Sequence, residues 1–336
     1  MESKKILRKL ISYNTIKDKD NKKIMNYIEQ YLLKLGFKTE YKSKCLVMSN
    51  SDNCNIGFLG HTDTVSYSDD WIFNHFELTE QDGKLYGLGT CDMKGSIAAI
   101  LSSIKKIKFD REKAGIKLFF TYDEEIGFSG INELIDNKIS FPKNIIVGEP
   151  TNNELINASK GLLEMKVTFK GVSSHSSNPE EGINAIENCI DFINKLKVYY
   201  SELKEETVDS KYVTMNIGVI KGGRSINIVP DSCEIQIDFR TISKKQNEEI
   251  IRIINKMINN TATYEVINNI NPFINNSGKT NMSDYITEAS FINSGNKYIL
   301  GVGPNNAHKK NEFITIKSLK ELEEQYIEMI KEKCKL

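Results

Sequence analysis

This chain lacks several features that would sort it quickly. Six cysteines are scattered over 336 residues. Cys45, Cys54, Cys91, Cys189, Cys233 and Cys334 form no C-x-x-C pair and no small disulfide framework, so a reducing cytoplasm is the expected setting. Neither charge is in surplus: 45 basic and 45 acidic side chains give a formal net charge of 0, which argues against a nucleic-acid partner. No apolar run is long enough to span a bilayer, so no membrane partner is expected. The opening MESKKILRKLISYN mixes charged and apolar residues at helical spacing, without the uninterrupted apolar stretch of a secretory leader. Internal repeats and low-complexity tracts are absent too. The length exceeds what one core usually fills, which predicts a large domain plus a smaller one.

What is present is strong patterning. Apolar spacing predicts helices over 2–13 and 20–35, the second ended by Gly36. Strand-like pieces follow at 45–49, 55–60 and 84–87, then a helix over 96–107. A strand at 115–122, a short helix at 129–137 and a strand at 144–148 complete an alternating series. Alternation with strongly apolar strands predicts an α/β sandwich whose sheet is covered on both faces. After Gly161 the texture changes to half-exposed alternation. Strands at 162–171, 212–220, 232–240 and 263–267, with helices over 181–206 and 243–260, give the order β-α-β-β-α-β. That order is the ferredoxin-like split pattern. A smaller domain is therefore expected at 162–269, inserted into a larger one made of 1–161 and 270–336, whose last helix starts near 317.

One punctuation occurs five times: an apolar strand, a small residue, then an acid or histidine. It yields His61 and Asp63, then Asp92, then Asp123 with Glu124 and Glu125, then Glu149, and finally His308. Each has an ordinary reading. Asp92 fits a helix N-cap, Glu124 and Glu125 fit acids at a helix start, Glu149 fits a surface position before Pro150, and His61 fits a satisfied core histidine. Together they fit less well, because residues at the carboxyl ends of sheet strands converge in space. Crowded acids there repel unless protons or cations compensate. Histidines and carboxylates without a cysteine cluster suit a hydrolytic zinc, cobalt or manganese site. A carboxylate can bridge two ions about 3.5–4 Å apart. One acid must stay off the metal to take a proton from water, and spacing alone does not say which.

The motifs GHTDTV, LYGLGTCDMKGSIAA, TYDEEIGFSG, VGEP, KG at 160–161, GVSSHSSNPEEGINAIE and GGRSINIVPDSCEIQIDFR follow one another in this order. Over essentially the whole chain they resemble the M20 family of dinuclear zinc amidohydrolases and exopeptidases. The resemblance implies a zinc-exopeptidase-like catalytic domain with a central mixed sheet, and an inserted ferredoxin-like dimerisation (lid) domain. It implies two divalent ions, zinc foremost with cobalt able to substitute. His61 and Glu149 would be terminal ligands of one ion, Glu125 and His308 of the other, and Asp92 the bridge. Glu124 would be the general base and Asp63 the acid that orients His61. A cis peptide is implied between Asp92 and Met93. His175, by itself only part of a polar SSHSS loop, would reach across a homodimer to the partner's oxyanion. Asn227 and Arg240 would lie near the substrate carboxylate, although Arg240 read alone fits a surface strand position.

The implied reaction removes an N-acyl group from a small amino acid, N-acetyl-L-ornithine foremost, giving L-ornithine and acetate. Desuccinylation of N-succinyl-diaminopimelate, or another aminoacylase or dipeptidase activity, is the alternative within the family. A small-ligand-binding relative without catalysis is the alternative of another class. Two departures stand out: Ser66 replaces a usual proline, and Asn311 in HKKNE replaces a usual acid. The segment between Phe273 and Glu288 is also short.

Overall fold

The computed structural model describes residues 1–107, 115–258, 262–275 and 280–335. Its α/β chain folds as two compact units, Met1–Asn157 with Thr287–Leu336, and Ala158–Ile286.

The first unit is built on a six-stranded mixed sheet, in the order Lys38–Lys42, Leu46–Ser49, Ile116–Thr121, Ile56–His61, Asn144–Val147 and Asn296–Ile299. The last four run parallel. Ile56–His61 and Ile116–Thr121 are buried at every position, as the continuous apolar runs require of strands covered on both faces. Helices Glu2–Ile11, Lys94–Lys106 and Ile316–Cys334 share one core with the sheet through Ile6, Leu10, Ile97, Leu101, Phe58 and Tyr326. Tyr326 meets Phe58 edge-on at 5.1 Å and donates its hydroxyl to the Leu300 carbonyl at 2.6 Å, so its one polar atom is satisfied in the core.

Periodicity misses the outermost strand, Lys38–Lys42, because KTEYK is exposed apart from the half-buried Tyr41. Charged residues are how a sheet edge avoids pairing with other chains, and they erase the apolar signal.

In the second unit a four-stranded antiparallel sheet has the order Thr214–Gly222, Ser232–Arg240, Leu162–Lys170 and Ala262–Ile270. One face carries Leu163, Met165, Val167, Phe169, Ile235, Ile237 and Phe239 into a core with Phe192, Leu196, Ile250 and Ile254 from helices Ala185–Leu203 and Lys244–Ile258. The helix expected over 181–206 starts later. Pro179–Glu181 forms a 3₁₀ turn, and the Asn184 side chain accepts from the Ile186 and Glu187 amides, capping the helix there. The last two residues of the helix expected over 243–260 lie outside the described residues, as do 276–279 in the short segment before Glu288.

Candidate metal centre

The small residue before His61 and before Glu149 has a physical reason. A Cβ on Gly60 would sit 2.8 Å from Met93 Cε; on Gly148 it would sit 2.5 Å from Met93 Cε and 2.8 Å from Ser96 Cβ. These two glycines precede His61 and Glu149. Their bareness lets the head of helix Lys94–Lys106 settle onto the strand ends and brings Asp92 beside His61. The Asp92–Met93 peptide at that junction is cis. Replacing Gly148 by Ala forces the helix outward, since the Ser96 Cβ is not a flexible tip. It should lower stability by about 1–3 kcal/mol and weaken metal binding. Chemical unfolding with and without zinc measures both effects, and an unchanged midpoint would refute the packing argument.

His61 and His308 are both within reach of Asp92. His61 Nε2 lies 3.0 Å from Asp92 Oδ1, and His308 Nε2 lies 3.5 Å from Asp92 Oδ2. Glu149 Oε1 is 3.5 Å from His61 Nε2, and Glu125 Oε2 is 3.0 Å from His308 Nε2. Two overlapping triads, His61–Asp92–Glu125 and His61–Glu124–Glu149, each place three ligand atoms within 4.8 Å of one another. The two histidines differ in setting: the His61 side chain is wholly buried, whereas that of His308 is 55% exposed.

The cluster crowds several carboxylates around two histidines. His61 Nδ1 faces the Asp63 carbonyl at 3.2 Å, so that nitrogen donates and Nε2 points its lone pair at carboxylates. Burial pulls the His61 ring down, but Glu149, Asp63 and Asp92 outweigh it and hold the pKa well above the usual range. Burial, with Asp92 and the neighbouring acids adding to it, pushes the Glu124 and Glu149 carboxyls well above their ordinary range. Asp92 is also buried, yet His308 and His61 hold it far below. Among the described residues, the buried Glu149 Oε1 has no hydrogen-bond partner. Divalent cations would satisfy that oxygen and neutralise the crowded acids, so the donor set fits the ions the sequence predicts.

Asp63 stands behind His61. Its Oδ2 accepts the Glu125 amide at 3.2 Å, and its Oδ1 lies 3.4 Å from His61 Nδ1. It thus links the ligand-bearing segments of the two neighbouring strands, whose ends pair His61 with Thr121.

Two buried acids had no role in the sequence reading, which met Glu312 only as the last residue of HKKNE. Glu312 accepts backbone N–H bonds from Gly89 at 3.0 Å, Cys91 at 2.6 Å and Asp92 at 3.0 Å, which shapes the loop that delivers Asp92. Glu288 accepts from Thr121 Oγ1 at 3.0 Å, and burial above all pushes its carboxyl up to about 7. Neither follows an apolar strand directly, so the punctuation did not mark them. Ser66 lies in exposed chain next to Tyr67, whose ring stacks on His75 at 3.6 Å.

The other three candidates lie in the second unit. His175 is brought beside Asn227: it bridges to Ile228, and the Ser176 amide donates to the Asn227 carbonyl at 3.1 Å. The Ser177 amide donates to His175 Nδ1 at 3.2 Å and the Ser177 hydroxyl lies 2.8 Å from the same nitrogen, so in the neutral ring the proton sits on Nε2. Arg240 is at the opposite end of strand Ser232–Arg240 from the Asn227 loop, where its guanidinium grips Asp238 through two bonds of 3.0 Å.

Among the described residues no helix is long and apolar enough to cross a membrane. Residues 57–332 match peptidase family M20/M25/M40. The acetylornithine deacetylase of Shigella sonnei (strain Ss046) is 30% identical over 94% of this chain and 92% of its own length. That of Buchnera aphidicola subsp. Acyrthosiphon pisum is 35% identical over 69% of this chain and 64% of its own. Among solved structures, aminopeptidase PepT from Bacillus cereus shares the fold, with a TM-score of 0.80 over 100% of this chain and 98% of that one at 19% identity. With its strand ends, paired histidines and carboxylates arranged as described, the chain belongs to peptidase family M20/M25/M40.

Proposed function

We propose that this metal-dependent hydrolase removes the acyl group from a small N-acyl amino acid, N-acetyl-L-ornithine first, releasing L-ornithine and acetate. The observation that carries the two-ion reading is Asp92, whose two oxygens face two different histidines at 3.0 and 3.5 Å. His61, Asp92 and Glu149 would hold one ion, and Asp92, Glu125 and His308 the other, with zinc the first choice and cobalt the substitute. Such ions supply Lewis acidity, which makes water acidic near neutral pH and polarises a carbonyl.

The protein groups then do the following. Glu124 takes a proton from water onto its carboxylate and returns it to the leaving nitrogen. Its burial among acids suits a group that must hold that proton for part of the cycle. Asp63 fixes the His61 ring through Nδ1, which keeps Nε2 aimed at the centre. His175, contributed across a homodimer, donates from Nε2 to the developing oxyanion, the kind of preorganised contact that contributes most in acyl transfer. Arg240, and Asn227 brought across the homodimer beside His175, bind the substrate carboxylate; the two-bond grip on Asp238 is the chemistry such a carboxylate would meet.

The second unit would be a ferredoxin-like dimerisation lid. Its strand order supports this, as do the exposed apolar Ile190 and Val198, eight residues apart on one helix, and Ile220 on the outermost strand. Six unpaired cysteines support a cytoplasmic setting.

A panel of N-acyl amino acids, assayed with zinc and with cobalt, tests the substrate. N-acetyl-L-ornithine should give the highest kcat/KM, N-succinyl-diaminopimelate should give none, and chelation should abolish turnover until either metal is restored. Preference for the succinylated substrate would move the chain to the desuccinylase reading. Metal-loaded protein that bound these compounds without hydrolysing any would support the non-catalytic reading.

A further inference from the structure

The turn that presents His308 is held in an unusual way. His308 and Asn311 both have left-handed backbones, with φ of 61° and 53°. Such residues persist only where their surroundings determine them, and asparagine is among the few side chains that tolerate the conformation. The far side of the turn is well anchored: Glu312 is tied to the Asp92 loop, and Phe313 pairs with Tyr86 in the sheet. The His308 ring itself is more than half exposed, so core packing does not fix it.

What meets the turn is a strap of aromatic residues. Tyr67 stacks on His75 at 3.6 Å, Trp71 leans on His75 at 4.8 Å, and the Leu88 amide donates to the His75 carbonyl at 2.9 Å. The strap is thereby fastened to the loop that leads to Asp92. Two contacts join it to the His308 turn. The Ile72 amide donates to Asn311 Oδ1 at 2.7 Å, and Lys310 Nζ lies 2.9 Å from Asp70. The ion pair is solvent-exposed at both ends and contributes little. The amide bond is short and fixes a residue three positions from the imidazole.

We propose that Asn311 is a positioning residue for His308: through Ile72 it fastens the His308 turn to the aromatic strap and holds the imidazole beside Asp92 and Glu125. This rests on reading His308 as a metal ligand. It also explains the departure noted in the sequence. The position needs a side-chain oxygen that accepts one N–H and a residue content at positive φ, and an amide serves both needs as well as an acid would. Asn311 touches neither ion nor substrate, so its effect belongs to the affinity of the half-site made by His308 and Glu125.

The test is zinc titration of the metal-free full chain against a competing chelator, for the wild type, Asn311→Ala, Asn311→Asp and His308→Ala. Asn311→Ala should weaken one of the two binding steps by about 10- to 100-fold, the usual effect of losing a partner that orients a ligand. The other step should stay as in the wild type, and the metal-free chain should unfold only slightly earlier, because alanine is strained at the φ of 53° that asparagine and aspartate tolerate. Asn311→Asp should restore binding to within about threefold of the wild type, because a carboxylate oxygen accepts the same N–H and aspartate also enters the left-handed region. Wild-type binding of both ions by Asn311→Ala would overturn the proposal, and so would failure of Asn311→Asp to recover. If His308→Ala binds both ions normally, the ligand reading itself falls, and the tether proposal with it.

Discussion

Glu124→Gln should leave the chain folded, loaded with two ions, and slower in deacylation by about 10²- to 10⁴-fold in kcat. The amide matches the carboxylate in shape and cannot take a proton from water. KM should change little, because the substitution removes proton transfer and leaves the binding surfaces intact. Metal content has to be measured alongside, because Glu124 stands in one triad with His61 and Glu149. Loss of an ion together with activity would make Glu124 a ligand. Retained ions with full activity would remove it from the mechanism. Retained ions with the expected loss identify a base.

Replacing Glu312 by Leu should destabilise the first unit by about 3–5 kcal/mol, the largest stability effect expected at the site. Three backbone amides, from Gly89, Cys91 and Asp92, lose their acceptor together in a place closed to water. Gln is the informative comparison. Its carbonyl can replace Oε1, which serves Cys91 and Asp92, but its amino group then faces the Gly89 amide, donor against donor. That variant should cost about 1–3 kcal/mol. Urea unfolding of the metal-free protein separates the two, and equal midpoints for Leu and Gln would show that the three amides find other acceptors.

The site was more legible in the sequence than the edges of the fold were. Strand, glycine, then acid or histidine is a physical requirement at Gly60 and Gly148, where the helix head needs the space, so the pattern survives as text. The inner strands were legible for a related reason, since burial on both faces leaves a continuous apolar run. Lys38–Lys42 was not, because its charges serve the edge. The start of helix Ala185–Leu203 was blurred because PEEG can be read as a first turn, and only the Asn184 cap decides it. The roles of Glu312, seen only as the end of HKKNE, and of Glu288 remained hidden for another reason. A buried acid that serves backbone amides or a threonine hydroxyl answers to partners remote in the chain, and no local spacing encodes them.

Strand Asn296–Ile299 completes the first sheet beside Asn144–Val147, with the whole second unit between them in the chain. During synthesis this sets an order of assembly. His61, Asp92, Glu124, Glu125 and Glu149 leave the ribosome before any of the second unit, while His308 and Glu312 follow all of it. In the interval the nascent chain holds most of the acids without the histidine that faces Asp92 from the second side, and without the carboxylate that shapes the Asp92 loop. A metal ion arriving in that interval would find one histidine and an unfinished loop. The centre can therefore be completed only once the segment that follows the second unit has been made.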